Sequence, residues 1–224
     1  MSKSEHPFIS YKRDHYSDEE ILKRSASFYE WADTRRSVRD FSDRPVPKEV
    51  MENLIMTAST APSGAHKQPW TFCLISNAAL KSKLRALAEE EEKKSYGGRM
   101  SVDWMKDLEP LGTDWEKEFI DVAPWIVVVM KRAYEFGKND EKLQNYYVSE
   151  SVGLAAGLFL AAVHNAGLVA LTHTPSPMTF ISKALERPDN ERPFLLIPVG
   201  FPAENVQVPD LKRKGIDEVI QYYE

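Results

Sequence analysis

Four short apolar stretches, separated by segments with a helical pattern, most constrain how this 224-residue chain can fold. Runs of this length rich in Val, Ile and Phe indicate buried strands, and helices between strands indicate a layered α/β or α+β fold. Because 42% of the residues are hydrophobic, one domain of generous size can bury a sizeable core, and we favour one domain over two small ones. The predicted strands are 70–76, 123–131, 168–173 and 194–199.

Capping signals locate the helices. Ser17 and Glu20 form a capping box that opens a first helix, which is expected to carry Arg35 and Arg36 at its C-terminal end. Pro47 suits the first position of a second helix, and Asn77 caps a third whose charged run at 89–94 is expected to be a solvated face. Further helices are predicted at about 144–166 and at 179–185, and a mobile, partly helical flap is predicted at 96–115.

The overall charge limits the class of partner. Thirty-four acidic against 29 basic residues give a formal charge of −5, which argues against nucleic acid or an anionic membrane surface. The apolar run 151–163 is shorter than the ~20 residues that span a bilayer. We expect it to form a buried central helix, where Gly153 and Gly157 allow a second helix, of the same or another subunit, to approach closely.

Cysteine content and the N-terminus indicate the compartment. Cys73 is the only cysteine, which fits a reducing compartment, and its apolar surroundings predict a buried, inert thiol. No metal-ligand spacing of His and carboxylates is present, so we expect no metal site. The first 14 residues contain no secretory signal, and we therefore expect a soluble, cytoplasmic protein.

The strongest functional signal is Arg-Arg-Ser-Val-Arg at residues 35–39. Planar, permanently charged guanidinium groups match the oxygens of a phosphate, so the cluster favours a small phosphorylated cofactor. An isolated Arg-Arg pair would more simply be a solvated helix end. The phosphate interpretation gains weight from four other segments, namely 62–65, 69–70, 172–175 and 209–214.

Together these segments resemble the flavin-dependent nitroreductase superfamily and, within it, the iodotyrosine deiodinase (halotyrosine dehalogenase) family. The similarity covers about 34–220, and the assignment to the subfamily depends on Glu92, Tyr96 and Lys117. The segments that carry the resemblance are 35–39, 58–66, 68–72, 165–169, 198–200 and 208–214.

The resemblance implies a nitroreductase-like fold with a central mixed sheet flanked by helices, in an intertwined homodimer. It divides the chain into an N-terminal extension and helix at 1–33 and an FMN domain at 34–224. Within that domain it implies a mobile lid at about 89–117 and a C-terminal tail at about 206–224.

The resemblance also implies an FMN site at the dimer interface. Arg39 would face the pyrimidine end of the ring and stabilise the negative charge that reduction places there. Thr174 would be catalytic, because its hydroxyl could reach flavin N5 and favour one-electron steps; a β-branched strand end is the alternative. The implied FMN contacts are Arg35, Arg36, Ser37 and Arg213 near the phosphate, with Arg39, Pro62, Ser63, Gly64, Thr172 and Thr174 along the ring.

Substrate recognition is assigned to the lid. Glu92 and Tyr96 lie four residues apart and share one helix face, and Lys117 comes from beyond the flap. By resemblance, Glu92 accepts from the ammonium of an amino acid, Tyr96 and Lys117 bind its carboxylate, and the Ala65 N–H donates to its phenolate. The alternative for the charged residues is a solvated surface.

The resemblance thus predicts an FMN-dependent oxidoreductase that removes iodide, and also bromide or chloride, from 3-halotyrosines. Two alternatives stay open: a broad nitroreductase or quinone reductase of the same fold, and a flavin- or halotyrosine-binding protein without turnover. No G-x-G-x-x-G dinucleotide fingerprint occurs, so either NAD(P)H or a separate reductase could supply the electrons.

Overall fold

The computed structural model describes residues 7–224, which belong to two compact units. The first unit ends at Arg35 and contains helix α1 (Asp18–Asp33). Ser17 caps α1, since its side chain accepts from the Glu20 N–H at 3.3 Å, so the predicted helix start is confirmed. No side chain of α1 is buried.

The second unit, Arg36–Glu224, is built around an antiparallel sheet. The order in this sheet is β1-β2-β6-β5, and β3 pairs only with β4 in a separate hairpin that the sequence does not predict. Among residues 7–224, the mixed character expected of the sheet is limited to one parallel bridge, between Ser37 and Ala170. The strands are β1 (Trp70–Ile75), β2 (Trp125–Arg132), β3 (Tyr134–Phe136), β4 (Lys142–Gln144), β5 (Val169–Ala170) and β6 (Glu191–Gly200).

The helices predicted in this unit occur in the expected order, and two further short helices, Phe119–Val122 and Ile216–Val219, are not predicted by the sequence. Pro47 immediately precedes the second helix, and Asn77 caps the third by accepting from the Leu80 N–H at 2.9 Å. These helices are α2 (Lys48–Ala58), α3 (Ala78–Lys94), α4 (Val102–Leu108), α5 (Phe119–Val122), α6 (Val148–Asn165), α7 (Thr179–Ala184) and α8 (Ile216–Val219).

Apolar side chains cover both faces of the sheet. On one face Val127 and Val129 of β2 belong to a core cluster with Phe159 of α6. On the other face Val128 belongs to a cluster with Leu84 of α3. Because β2 is covered on both faces, its sequence is a continuous apolar run rather than an alternating one.

The central helix α6 is only partly buried, which corrects the expectation of a helix covered on all sides. Leu154 and Leu158 are 53% and 37% exposed. An added Cβ at Gly153 or Gly157 would meet no atom of the described residues within 4 Å. The helix therefore presents an apolar face, lined by small residues, to the surface of this chain.

The predicted flap is folded and partly helical, as expected. A π-type turn (Ser95–Arg99) leads into α4, and a 3-10 turn (Glu109–Leu111) follows α4. Its mobility stays a prediction. Within the described part of the chain, none of the helices has the length and hydrophobicity that a bilayer-spanning segment needs.

Candidate active site

Residues 36–39 run beside β5, which fixes the predicted phosphate-binding segment against the sheet. The bridge between Ser37 and Ala170 is accompanied by a hydrogen bond from the Val38 N–H to the Ala170 carbonyl at 3.2 Å. The side chain of Val38 is buried, whereas Ser37 and Arg39 are half-buried. The polar side chains of the segment therefore lie at the surface of the second unit.

The two ends of this unit meet at Arg36. The Arg36 guanidinium donates to the carbonyl of Pro209, which is 173 residues further along the chain. This contact brings the tail segment that carries the exposed Arg213 beside Arg36. Arg35 closes the first unit, and its predicted phosphate contact stays a prediction.

Glu92, Tyr96 and Lys117, which we call the lid cluster, lie together as the sequence predicts. Lys117 Nζ is 3.6 Å from Glu92 Oε2, and the two residues are 2% and 8% exposed. Lys117 Nζ also lies 5.8 Å from the Tyr96 ring centroid, while the Tyr96 hydroxyl donates to the Thr113 carbonyl at 3.1 Å. A solvated helix face therefore does not describe Glu92 or Lys117.

Burial and charge oppose each other within the lid cluster. Burial raises the pKa of Glu92, and the neighbouring Lys117 ammonium acts to lower it. Burial lowers the pKa of Lys117, and Glu92 and Asp114 act to raise it. Each charge thus offsets part of the desolvation cost of the other. A buried carboxylate beside a buried ammonium matches the two charged ends of a free amino acid.

Arg39 connects the phosphate-binding segment with the lid cluster. Burial lowers the pKa of Arg39, whereas the Tyr96 phenol and the Asp40 carboxylate act in the opposite direction. Arg39 in turn contributes to lowering the pKa of Lys117. The positive charge predicted to face the flavin ring therefore lies within electrostatic range of the groups predicted to bind substrate.

The loop at 62–66 is held against the first turn of α6. The Gln68 N–H donates to Ser63 Oγ at 2.9 Å, and the Gly64 N–H donates to the buried Ser151 Oγ at 3.3 Å. Ala65 has φ 50, in the left-handed region that non-glycine residues rarely adopt. These contacts fix the backbone of Ala65, whose N–H is predicted to bind the substrate phenolate.

Three predicted cofactor contacts, Pro62, Thr172 and Thr174, are exposed, and we call them the cofactor surface. The two threonines flank His173, whose backbone pairs with Leu196 through hydrogen bonds of 2.8 and 3.0 Å. Because side chains alternate along an extended segment, the threonines face one way and His173 the other.

The His173 imidazole lies on the lid side of this segment. Its ring meets Phe119 edge-on at 5.6 Å between centroids. Burial, together with the positive charges of Lys117 and Arg39, lowers the pKa of His173 to about 3. Its Nε2 is buried and has no hydrogen-bond partner among residues 7–224. A neutral imidazole therefore lies within electrostatic range of Lys117 and Arg39.

Comparison with known proteins identifies the family. The model of the nitroreductase family matches residues 32–201. An iodotyrosine deiodinase from Haliscomenobacter hydrossis is 56% identical over 216 residues, which cover 96% of this chain and 97% of that protein. Iodotyrosine deiodinase 1 of Homo sapiens is 44% identical over 215 residues, covering 95% of this chain and 74% of that protein. The chain belongs to the iodotyrosine deiodinase family.

Solved structures of this family and of its superfamily share the fold. A crystal structure of oxidized iodotyrosine deiodinase bound to FMN and 3-iodo-L-tyrosine matches with a TM-score of 0.75 at 27% identity, over 88% of this chain and 99% of that one. A nitroreductase with bound FMN from Bacteroides fragilis matches with a TM-score of 0.66 at 17% identity, over 88% and 98%. The predicted family and nitroreductase-like fold are therefore confirmed.

One residue of the lid cluster, Glu92, lies in a run where the sequence predicts a solvated face. In the run 89–94, Glu90 is exposed but Glu92 is buried, and Glu89 is half-buried. The signal was present in the helical spacing of the buried side chains of α3, which are Lys81, Leu84, Ala88 and Glu92. Glu89 has no predicted role, although it contacts Lys117.

Proposed function

We propose that the protein is an FMN-dependent oxidoreductase that removes iodide from 3-iodotyrosine by reduction, and bromide or chloride from the corresponding halotyrosines. The observation that carries this proposal is the buried Glu92–Lys117 pair beside Tyr96. Membership of the iodotyrosine deiodinase family supports the enzyme class and the cofactor.

The residues present fit FMN. Arg36, Ser37 and Arg213 supply cationic and hydroxyl donors suited to a phosphate, and the Arg36 guanidinium contacts Pro209 in the tail segment that carries Arg213. Arg39, half-buried and close to the lid cluster, suits the end of the ring that becomes anionic on reduction. Pro62, Ser63, Gly64 and Thr172 would line the ring. When bound, FMN supplies the electrons for the reduction.

The lid cluster would bind the zwitterion of the substrate. Glu92 would accept from the substrate ammonium, while Lys117 and Tyr96 would bind its carboxylate. Because Glu92 and Lys117 are buried, these contacts would form away from water, where charge interactions are stronger. Closure of the lid at 89–117 over the amino acid would then select halotyrosines over aromatic compounds without charged ends.

Two groups would act on the halogenated ring. The Ala65 N–H, on a loop fixed by Ser63 and Ser151, would donate to the phenolate and stabilise its negative charge. Thr174 is the proposed catalytic residue, because its exposed hydroxyl would donate to flavin N5 and favour one-electron steps.

A homodimer belongs to the same proposal. The exposed face of α6, with Leu154 and Leu158 beside Gly153 and Gly157, offers an apolar surface that a second copy of this chain can approach closely. The electrons would come from NAD(P)H or from a separate reductase.

A measurement of halide release distinguishes the candidate functions. FMN-loaded protein, reduced with dithionite and given 3-iodotyrosine, should release iodide. Quenching of flavin fluorescence without iodide release would indicate a binding protein. Reduction of nitroaromatics without selective iodide release would indicate a general reductase.

A substitution tests the assignment of the lid. Lys117→Ala should abolish 3-iodotyrosine binding while reduction of a small nitroaromatic continues. Lys94→Ala, which removes an exposed lysine of the same lid, is the matched control. An equal loss of both activities in Lys117→Ala would refute the lid assignment.

A further inference from the structure

A carboxylate one helical turn before Glu92 holds the backbone of Lys117. Glu89 Oε1 accepts from the Lys117 N–H at 2.9 Å and from Arg85 Nε at 2.7 Å. The Glu89 side chain is only 15% exposed. Helix α3 therefore holds Lys117 at two points, because Glu92 pairs with its ammonium and Glu89 binds its backbone.

A second contact keeps Arg85 in place. Arg85 Nη1 donates to Asp121 Oδ2 at 3.0 Å, and Ser82 Oγ donates to Asp121 Oδ1 at 2.9 Å. Lys81 Nζ donates to the carbonyls of Asp121 and Ala123, each at 2.8 Å. The segment from Lys117 to Ala123 is thus attached to α3 at both of its ends.

Glu89 is suited to this role because it stays ionised. Burial raises the pKa of Glu89, but the hydrogen bonds from Arg85 and from the Lys117 N–H lower it. The pKa of Glu89 therefore lies below the ordinary value of a glutamate. A charged acceptor binds an N–H more strongly than a neutral one. Its neighbour Glu90 has a different environment, since its side chain is 63% exposed and pairs with Lys94.

We propose that Glu89 is a positioning residue that fixes Lys117 for binding of the substrate carboxylate. This inference rests on the function proposed above. A lysine side chain has four rotatable bonds, so its ammonium can hold one position only if its backbone does not move. Small displacements of a group that binds substrate cost large factors in affinity and rate.

Amide exchange in FMN-loaded protein tests the backbone contact. In Glu89→Ala, segment 113–120 should exchange about tenfold faster than in the wild type. Glu89→Gln keeps a side-chain oxygen for the Lys117 N–H and should show a smaller increase. Glu90→Ala is the matched control and should leave the segment unchanged. Unchanged exchange in Glu89→Ala would overturn the proposal.

Ligand binding tests the positioning role. Quenching of flavin fluorescence gives the Kd of 3-iodotyrosine and of 2-iodophenol, which has the halogenated ring but no charged ends. Glu89→Ala should weaken the binding of 3-iodotyrosine about tenfold and the binding of 2-iodophenol by less than about twofold. Equal loss for both ligands, or no loss for 3-iodotyrosine, overturns the proposal. If Glu89→Ala does not fold, Glu89→Gln carries the same comparison.

The wild type separates this inference from the function on which it rests. If the wild type binds 2-iodophenol as tightly as 3-iodotyrosine, the proposed recognition of the zwitterion is wrong, and the positioning role is refuted with it. If the wild type prefers 3-iodotyrosine and Glu89→Ala keeps that preference, only the positioning role is wrong.

Discussion

The lid cluster and the cofactor surface differ in where their polar groups find partners. Glu92 and Lys117 are buried and pair with each other within one chain. The hydroxyls of Thr172 and Thr174 lie on exposed residues. A charge removed from the lid cluster therefore leaves a buried charge behind, whereas a hydroxyl removed from the cofactor surface leaves the packing intact. Stability and function should be coupled in the first region and separable in the second.

The largest expected effect comes from breaking the buried pair. Lys117→Met leaves the Glu92 carboxylate unpaired and should lower the free energy of unfolding by about 3 kcal/mol, measured by urea denaturation. The double variant Glu92→Gln/Lys117→Met removes both charges and should recover most of that loss. Lys94→Met, at an exposed pair, should change it by less than about 0.5 kcal/mol. Glu92→Gln alone completes the comparison. If the double variant loses as much unfolding free energy as the two single variants together, the charges of the pair are not coupled.

The next effect concerns pH and the His173 imidazole, which lies within electrostatic range of Lys117. The folded pKa of His173 is about 3, against an ordinary value of 6.5. Between these values the unfolded chain binds a proton that the folded chain does not, so stability falls as the pH falls below about 6.5. The slope is about 1.4 kcal/mol per pH unit, or about 2 kcal/mol by pH 5.

A single substitution isolates this dependence. His173→Thr should reduce the loss of unfolding free energy between pH 7 and pH 5, and His66→Gln, at an exposed histidine, is the matched control. Urea denaturation at both pH values measures the difference. An unchanged pH dependence in His173→Thr would mean that the imidazole is not held neutral by its surroundings.

A smaller effect is expected where the loop at 62–66 meets α6. In Gly64→Ala the added Cβ would lie 2.9 Å from the Tyr146 carbonyl oxygen, a backbone atom that no rotamer change can move. The loop must shift, at a cost of about 1 kcal/mol of unfolding free energy. Binding of 3-iodotyrosine and of 2-iodophenol should weaken alike, because the proposed partner of the Ala65 N–H is the phenolate common to both.

Gly97→Ala provides the contrast for this variant. An added Cβ at Gly97 meets no atom of the described residues within 4 Å. Its unfolding free energy should therefore stay within about 0.5 kcal/mol of the wild type. If Gly64→Ala proves equally neutral, the loop accommodates the methyl group and the backbone of Ala65 is not fixed by this contact.

The sequence correctly predicted the starts of those helices that are capped by a nearby side chain. The side chains of Ser17 and Asn77 accept from N–H groups three residues ahead, and the helices begin where these caps place them. Helix α6 begins at Val148 rather than near residue 144, because Tyr147 adopts φ 47. The hairpin β3–β4 is not predicted because each of its strands has only three residues, too few to show a period, and the strands depend on pairing across the turn.

In the candidate site, too, the sequence predicts some contacts and not others. The resemblance grouped Glu92, Tyr96 and Lys117, and the structure brings them together. Glu89 could not be assigned in this way, since its role depends on a backbone N–H 28 residues away that any residue type except proline could supply. Contacts to backbone atoms are therefore difficult to predict from the residue types in a sequence.

The smallest effect on stability, and the sharpest separation of stability from function, is expected at Thr174. Because Thr174 is exposed, the isosteric change Thr174→Val should alter the unfolding free energy by less than about 0.5 kcal/mol. The affinity for 3-iodotyrosine should persist, since the lid cluster is untouched. Iodide release at saturating substrate should slow about tenfold, as expected for loss of one hydrogen bond in the rate-determining step. Undiminished iodide release would assign the chemistry to another group, and a large loss of stability would show that the cofactor surface is as tightly coupled to folding as the lid cluster.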